Sequence, residues 1–182
     1  MSKPREPEPA KLFLSAIYRD AAAANRLLDL LAERLGPIEY STRELPFEAT
    51  GYYGAEMGGP LFRRFFVFRE LVNQDRLAEI KLFTNALEQG AAVEDKRVVN
   101  LDPGLLAMNN LVLATGKAVA HRPYLGSGIY ADLTLIFESG SFRGLPWSYG
   151  DYASPEMIAF LNRIREGYKQ DLREWRQARE RV

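Results

Sequence analysis

The amino-acid sequence has no cysteine and only one histidine, His121. A chain without thiols has neither disulfides nor thiolate nucleophiles, and a single histidine excludes two-histidine zinc motifs. These absences favour a reducing compartment, so we expect a cytoplasmic protein without a cofactor or a tightly bound metal. Oxygen ligands remain, and a weakly held magnesium or manganese ion at Asp102 and Asp132 is compatible with them.

The chain also lacks an excess of charge of either sign, because 24 lysines and arginines balance 24 aspartates and glutamates. No overall field draws such a protein to nucleic acid or to an anionic membrane, so we expect neither as a partner. No segment approaches the roughly eighteen uninterrupted apolar residues of a transmembrane helix, and residues 2–9 lack the apolar region of a signal peptide.

The hydrophobic content is 47% over 182 residues, which is enough for one sizeable core. Residues 1–10 alternate proline with charge and are predicted to be a disordered tail, whereas residues 176–182 form a charged end that we expect to fray. Residues 11–175 contain no internal repeat and no linker. We therefore predict a single α+β domain over that range.

The first half of the domain predicts the order strand, helix, strand, strand, helix, strand, which is typical of a ferredoxin-like βαββαβ half. Two of its strands are almost continuously apolar, so we expect them to be neighbours, with both helices on one face of their sheet and later chain on the other. Asp20 and Asp75 are the expected N-caps of the two helices. The predicted elements are strands at 11–18, 38–47, 61–69 and 98–101 and helices at 20–36 and 75–90.

The second half predicts a further helix, a β-hairpin and a long C-terminal helix. Residues 129–137 alternate between apolar and polar side chains, and Ser139 and Gly140 indicate a turn into a short partner strand. Ser154, followed by proline and glutamate, is a typical start for the last helix.

Residues 100–104 are the first candidate for a functional site. Asp102 and Pro103 resemble an N-cap and first helical residue, predicting a helix to about residue 115, although 111–113 also fit a strand. Such a helix start gathers backbone N–H donors beside a carboxylate. The alternative is that Asp102 is only a cap.

A second candidate follows in a loop where Lys117, His121 and Arg122 supply two cations and one titrating group. Ordinary pairing with neighbouring groups explains them equally well. Asp132 lies within a predicted strand, where aspartate is uncommon. It either faces solvent or comes alongside His121, which it would then orient. Residues 147–152 carry two tyrosines and a tryptophan around Asp151, and either wall a pocket or pack over a sheet edge.

Motifs for nucleotide binding and for hydrolysis are absent. Gly116-Lys117 is followed by alanine, which excludes a P-loop, and Gly126-Ser127-Gly128 lacks a third glycine and precedes a strand, which predicts a turn. No G-x-S-x-G elbow accompanies His121.

Five blocks of the chain carry a resemblance to a known family, and they lie at 81–85, 100–104, 113–115 with 117, 121–122 with 124–125, and 128–131. In these blocks the chain resembles an uncharacterised prokaryotic family of about this length, domain of unknown function 4416. The resemblance spans nearly the whole chain and implies no established activity or catalytic residue. It also implies an aromatic residue where this chain has Leu105 and a glutamate where it has Asp132. The leucine would make a smaller pocket wall than an aromatic ring, and the aspartate keeps the charge of a glutamate on a shorter side chain.

The sequence predicts a site for a small anion, for example a phosphorylated ligand, in a protein that either only binds it or also turns it over. Arginine offers paired donors, lysine a point charge and histidine a proton near neutral pH. The candidate catalytic residues are Asp102, His121 and Asp132, and the candidate ligand-binding residues are Lys81, Asn85, Asn100, Lys117, Arg122 and Tyr124.

Two other functions are compatible with the same sequence. A non-catalytic interaction or regulatory module would use the C-terminal helix or the loop at 50–60. An RNA-binding ferredoxin-like domain would stack bases on the phenylalanines of 61–68. No RNP-like string accompanies these rings, and core packing explains them better.

Overall fold

The computed structural model describes residues 3–48, 53, 56–94 and 96–181. These residues form a mixed α+β domain in which three α-helices cover one antiparallel sheet of nine strands. The helices are α1 (Ala21–Leu35), α2 (Leu77–Gly90) and α3 (Pro155–Glu180). The strands are β1 (Ala10–Tyr18), β2 (Ile38–Ser41), β3 (Leu45–Phe47), β4 (Leu61–Val72), β5 (Val99–Leu106), β6 (Asn110–Thr115), β7 (Tyr124–Gly126), β8 (Ile129–Glu138) and β9 (Ser141–Gly144).

The order of the strands is β2-β4-β1-β5-β6-β8-β7, with β3 also paired to β4 and β9 to β8. The sheet is therefore larger than the four strands of a ferredoxin-like half. The predicted neighbourhood of the two apolar strands is confirmed, because β1 and β4 pair directly in antiparallel register.

Strand β1 lies at the centre of the core, and all of its residues are buried. Leu12 and Leu14 point to the face that α1 and α2 cover, whereas Phe13 points to the face that α3 covers, where its ring stacks 5.7 Å from that of Phe65. A strand buried on both faces needs apolar side chains at every position, which explains why its sequence does not alternate.

Local signals at the ends of the helices are mostly as expected. The Asp20 side chain accepts a hydrogen bond from Ala22 N at the start of α1, and Gly36 ends that helix with a positive φ of 93°. Asp75 is not the N-cap of α2, since it lies in a 3-10 turn, Gln74–Arg76, and α2 begins after that turn. The buried face of α2 carries two charged side chains, Lys81 and Glu88, among its apolar ones.

Helix α3 begins as predicted, with Ser154 Oγ accepting a hydrogen bond from Met157 N. Its buried stripe runs from Met157 to Leu172 against the second face of the sheet. The buried Tyr168 hydroxyl donates to Pro9 O at 2.6 Å, which ties α3 to the start of β1, and burial raises the pKa of Tyr168 to about 12. No helix within the described ranges is long and apolar enough to cross a membrane.

The predicted helix over 102–115 is wrong, because this segment forms β5 and β6. Leu101 and Leu105 pack against the helices, and β5 pairs with β1 along its whole length. The backbone N–H and C=O of Leu101 bond to α2 and so point away from β1. The backbone groups of successive strand residues alternate in direction, so those of Pro103, two residues on, also point away from β1. Pro103 is not paired to β6, so its missing N–H costs β5 no strand-to-strand bond.

The predicted alternation of 129–137 holds only for the first part of β8. Ile129 packs on the side of α1 and α2, whereas Leu135 packs on the side of α3. A shift in the register of β6 and β8 lies between the pairs Val112–Leu133 and Leu111–Leu135, and an extra residue there reverses the facing of the rest of the strand.

Both predicted turns around β8 are confirmed. Ser127 joins β7 to β8 with a φ of 53°, and Ser139 and Gly140 join β8 to β9 with φ values of 52° and 86°. Each turn reverses the chain between strands that pair in the sheet.

Candidate functional site

The sheet is open between β5 and β6. These strands pair only from Gly104 to Leu106, opposite Leu111 to Leu113, and they separate beyond Gly104. A cleft of about 760 Å³ lies at this opening, a volume that is typical of sites for small molecules. Residues from β3, β4, α2, β5, β6, β8 and the segment before α3 line it.

Helix α2 supplies the hydrogen bonds that a neighbouring strand would make with β5 at the opening. Lys81 Nζ donates to Leu101 O at 2.8 Å, and Glu88 Oε1 accepts from Leu101 N at 2.7 Å. Both side chains are buried. Since unpaired backbone groups are costly away from water, these contacts stabilise the open form of the sheet.

Asp102 lines the cleft, on the face of β5 opposite Leu101. It accepts from Lys81 Nζ at 3.0 Å and from Asn100 Nδ2 at 2.7 Å. Burial opposes its ionisation, but the Lys81 ammonium and these hydrogen bonds hold the pKa of Asp102 below its ordinary value. Asp102 is therefore an anion at neutral pH.

Glu88 has the opposite electrostatic balance. Burial raises its pKa above the ordinary value, in spite of the Lys81 ammonium and the hydrogen bond from Leu101. Arg97 joins Glu88 to Glu56, with Nη1 at 3.0 Å from the first carboxylate and Nη2 at 2.8 Å from the second. Arg97 lines the cleft, so this network of ion pairs forms part of the wall of the cleft.

The opposite wall contains a second buried ion pair. Arg122 Nη2 and Nε lie 2.7 and 2.9 Å from Asp132 Oδ2, and the two side chains are 9% and 8% exposed. Arg122 Nη1 also donates to Lys117 O at 3.2 Å. The Lys117–Arg122 loop follows β6 and precedes β7 and β8, and it reaches the cleft because β6 and β8 are paired through Leu113 and Asp132.

His121 lies outside this wall. Its Nε2 is 3.9 Å from Asp132 Oδ1, beyond hydrogen-bonding distance, and its ring stacks on Trp147 with centroids 4.8 Å apart. The close partner of Asp132 is therefore Arg122, with His121 in the second place. An orienting role of Asp132 towards His121 stays a prediction.

Arg63 of β4 forms the third wall. Its guanidinium lies 4.3 Å from the centroid of the Phe47 ring and 5.5 and 5.7 Å from those of Phe65 and Tyr152. Its Nη1 is ion-paired with Asp151. The sequence did contain a signal for this residue, since an arginine two positions before a buried strand phenylalanine shares its face.

Tyr53 and Tyr152 of the cleft remain protonated at neutral pH. Burial raises the pKa of Tyr152 and of Tyr53 well above the ordinary value for a phenol. Tyr149 and Asp151 also line the cleft, as the pocket-wall alternative for 147–152 required, whereas Trp147 does not.

The described residues contain no group of three or more histidine, aspartate or glutamate side chains arranged to hold a metal ion. Lys81 neutralises Asp102, and Arg122 neutralises Asp132. A weak magnesium or manganese site at these two carboxylates thus stays a prediction without further support.

Most of the residues that the sequence singled out come together. His121 and Tyr124 do not line the cleft, and the Tyr124 hydroxyl instead accepts from Gly128 N in the turn before β8. Sequence reasoning missed Arg63 and Arg97, together with the Phe47 ring. The predicted residues that do line the cleft are Lys81, Asn85, Asn100, Asp102, Lys117, Arg122 and Asp132.

Fold and site together define an α+β protein with a ligand-sized, ion-paired cleft in a split antiparallel sheet. The chain belongs to the family described as domain of unknown function (DUF4416), whose model matches residues 8–168. No curated protein and no solved structure matches the chain.

Proposed function

We propose that the cleft between β5 and β6 binds a small anionic ligand. The observation that carries the proposal is the convergence of basic side chains from four separate parts of the chain on this one cleft. They are Arg63, Lys81, Arg97, Lys117 and Arg122.

The overall charge of the protein does not account for this grouping, because the formal net charge is zero. Arg63 and Lys81 are more than nine-tenths buried, although burial of a charged side chain is costly. Groups retained at such a cost are typical of functional sites. Guanidinium and ammonium groups are the usual protein ligands of phosphate and carboxylate.

The proposal is for binding, with Asp102 as the best-placed group for any proton transfer. Both Asp102 and Asp132 line the cleft and each is paired with a cation, but the Asp102 side chain is 28% exposed and that of Asp132 only 8%, and His121 does not line the cleft. A reaction would therefore involve the Lys81–Asp102 pair before it involved His121.

Thermal unfolding in the presence of inorganic phosphate, nucleotides and small carboxylates tests the proposal. A bound anion stabilises the protein by about 1.4 kcal/mol for each tenfold increase in concentration above its dissociation constant. We expect Lys117→Ala and Arg122→Ala to lose this response. Arg173→Ala is the control, since Arg173 lies on the exposed face of α3, where its Nη1 donates to Gln170 Oε1 at 3.3 Å.

His121→Ala tests whether His121 takes part in binding the anion. We expect it to keep the anion response, because His121 does not line the cleft. If no anion shifts the unfolding of the wild-type protein, the anion-site proposal is wrong and a non-catalytic interaction module becomes the better hypothesis.

We also propose that residues 10–106 are a ferredoxin-like half. The partial order β2-β4-β1-β5, with α1 and α2 on one face, supports this assignment. RNA binding on its phenylalanines has less support, since Phe65, Phe66 and Phe68 are buried and α3 covers the face that would stack bases.

A further inference from the structure

We propose that Arg63 grips the anionic group of the ligand, and that Asp151 occupies the place of that group in the ligand-free protein. This inference rests on the proposed function and names the residue that binds the anionic group. The group in question is an oxyanion, either a carboxylate or a phosphate.

The Arg63 guanidinium is held as a fixed plane. Arg63 lies within β4 opposite Ile17 of β1, and it shares the face of β4 that carries Phe65. Phe47 covers the plane at 4.3 Å. Stacking uses the faces of a guanidinium and leaves its N–H edges free to donate. A plane oriented in this way loses little conformational freedom when it binds an oxyanion through parallel hydrogen bonds.

The donors of Arg63 are also incompletely used. Its Nε is buried and has no hydrogen-bond partner within the part of the chain that the structure describes. Buried donors are normally paired, so an unpaired one in a cleft wall indicates a missing acceptor. Arg122 differs, since Asp132 and the Lys117 carbonyl already engage all three of its nitrogens. Lys81 likewise bonds to Leu101 O and to its neighbouring carboxylate.

Asp151 has the chemistry of the missing ligand group and is the more exposed partner of the pair, although its Oδ1 also accepts a hydrogen bond from Tyr152 N at 3.0 Å. Its carboxylate pairs with Arg63 Nη1, and its side chain is 37% exposed, compared with 10% for that of Arg63. It lies in the turns of residues 145–154, which join β9 to α3. The next residue, Tyr152, is anchored in the core, so ligand entry requires rotation of the Asp151 side chain and no movement of the segment.

Calorimetric titration with inorganic phosphate and, separately, with acetate tests the inference on the full chain. We expect Asp151→Asn to bind the preferred oxyanion at least about fivefold more tightly than the wild-type protein, because a competing carboxylate is removed. Arg63→Lys should weaken binding at least about tenfold, since an ammonium lacks the paired donors. Asp29→Asn and Arg173→Lys, both exposed and distant from the cleft lining, should leave binding unchanged.

Each outcome decides between the two proposals. Wild-type binding that neither variant alters overturns the role of Arg63 and leaves the proposed function standing on Lys117 and Arg122. Tighter binding by Asp151→Asn together with unchanged binding by Arg63→Lys also overturns the role of Arg63. The loss of the Asp151 negative charge would then explain the higher affinity without any contribution from Arg63. Measurable binding by Asp151→Asn where the wild-type protein shows none supports the inference. If Arg63→Lys does not fold, an unchanged affinity of Asp151→Asn still overturns it. If neither the wild-type protein nor Asp151→Asn binds, both proposals fail.

Discussion

The Lys81 ammonium lies 3.0 Å from the Asp102 carboxylate and joins α2 to β5 at the point where the sheet opens. The same ammonium donates to Leu101 O, so one side chain satisfies both a backbone group and a buried charge. The opening is therefore a stabilised feature of the fold and provides the space for the cleft.

Lys81→Met should destabilise the protein strongly. The substitution keeps most of the side-chain volume but leaves Leu101 O without its donor and Asp102 without its cation. Removal of one partner from a buried ion pair costs about 3–5 kcal/mol. Urea unfolding monitored by circular dichroism measures this change. The same substitution at Lys169 is the control, because the partner of Lys169, Glu166, is 65% exposed. A loss no larger than that of the control would contradict the structural role of Lys81.

Asp102 should make stability depend on pH in the acid range. Its pKa in the folded protein is below the value of the unfolded chain, about 3.9, so its ionised form stabilises the fold above that pH. This contribution is lost as the pH falls through the lower folded pKa. The unfolding free energy of the wild-type protein should therefore fall more steeply below pH 4 than that of Asp102→Asn. Parallel curves for the two proteins would show that the Asp102 pKa is not lowered.

Glu88 should act in the opposite sense. Its folded pKa is above the unfolded value of about 4.3, so its stabilising contribution is complete below that pH and is lost as the pH rises through the folded pKa. The wild-type protein should lose stability relative to Glu88→Gln as the pH is raised from 4 towards 7. Glu33→Gln, at an exposed position of α1, is the control. A constant difference between the wild-type protein and Glu88→Gln over this range would exclude the shift.

Local sequence was sufficient where the structure depends on local chemistry. The Asp20 and Ser154 caps were predictable because each bonds within its own helix. The pairing of β1 with β4 was predictable because a continuous apolar run requires cover on both faces.

The segment around Asp102 was not predictable in this way. An aspartate before a proline is a typical helix start when it is considered alone, and nothing within a few residues excludes it. The decisive interaction is the pairing of Asp102 with Ser15, which lies far away in the chain. Local windows do not contain that partner, so the tertiary contact overrides the local preference.

The same physical reason explains which predicted residues line the cleft and which lining residue was missed. Lys117, Arg122 and Asp132 lie near one another in sequence, on a loop and a strand that pairing brings together. Arg63 belongs to a strand on the other side of β1, and its place in the cleft depends on the order of the whole sheet.

Gly104→Ala should destabilise the edge of the opening. Gly104 pairs with Leu113 where β5 and β6 begin to separate, and a Cβ at Gly104 would lie 2.7 Å from Val112 O and 2.6 Å from Leu113 Cδ2. The leucine can rotate, but the carbonyl belongs to the paired backbone, so the strands must shift apart. Overpacking of this kind costs about 1–3 kcal/mol. Gly116→Ala is a matched control at the cleft, since a Cβ there meets no atom within 4 Å. Urea unfolding of both variants checks the prediction, and equal stability of the two would mean that β5 and β6 are less closely paired at Gly104 than the structure shows.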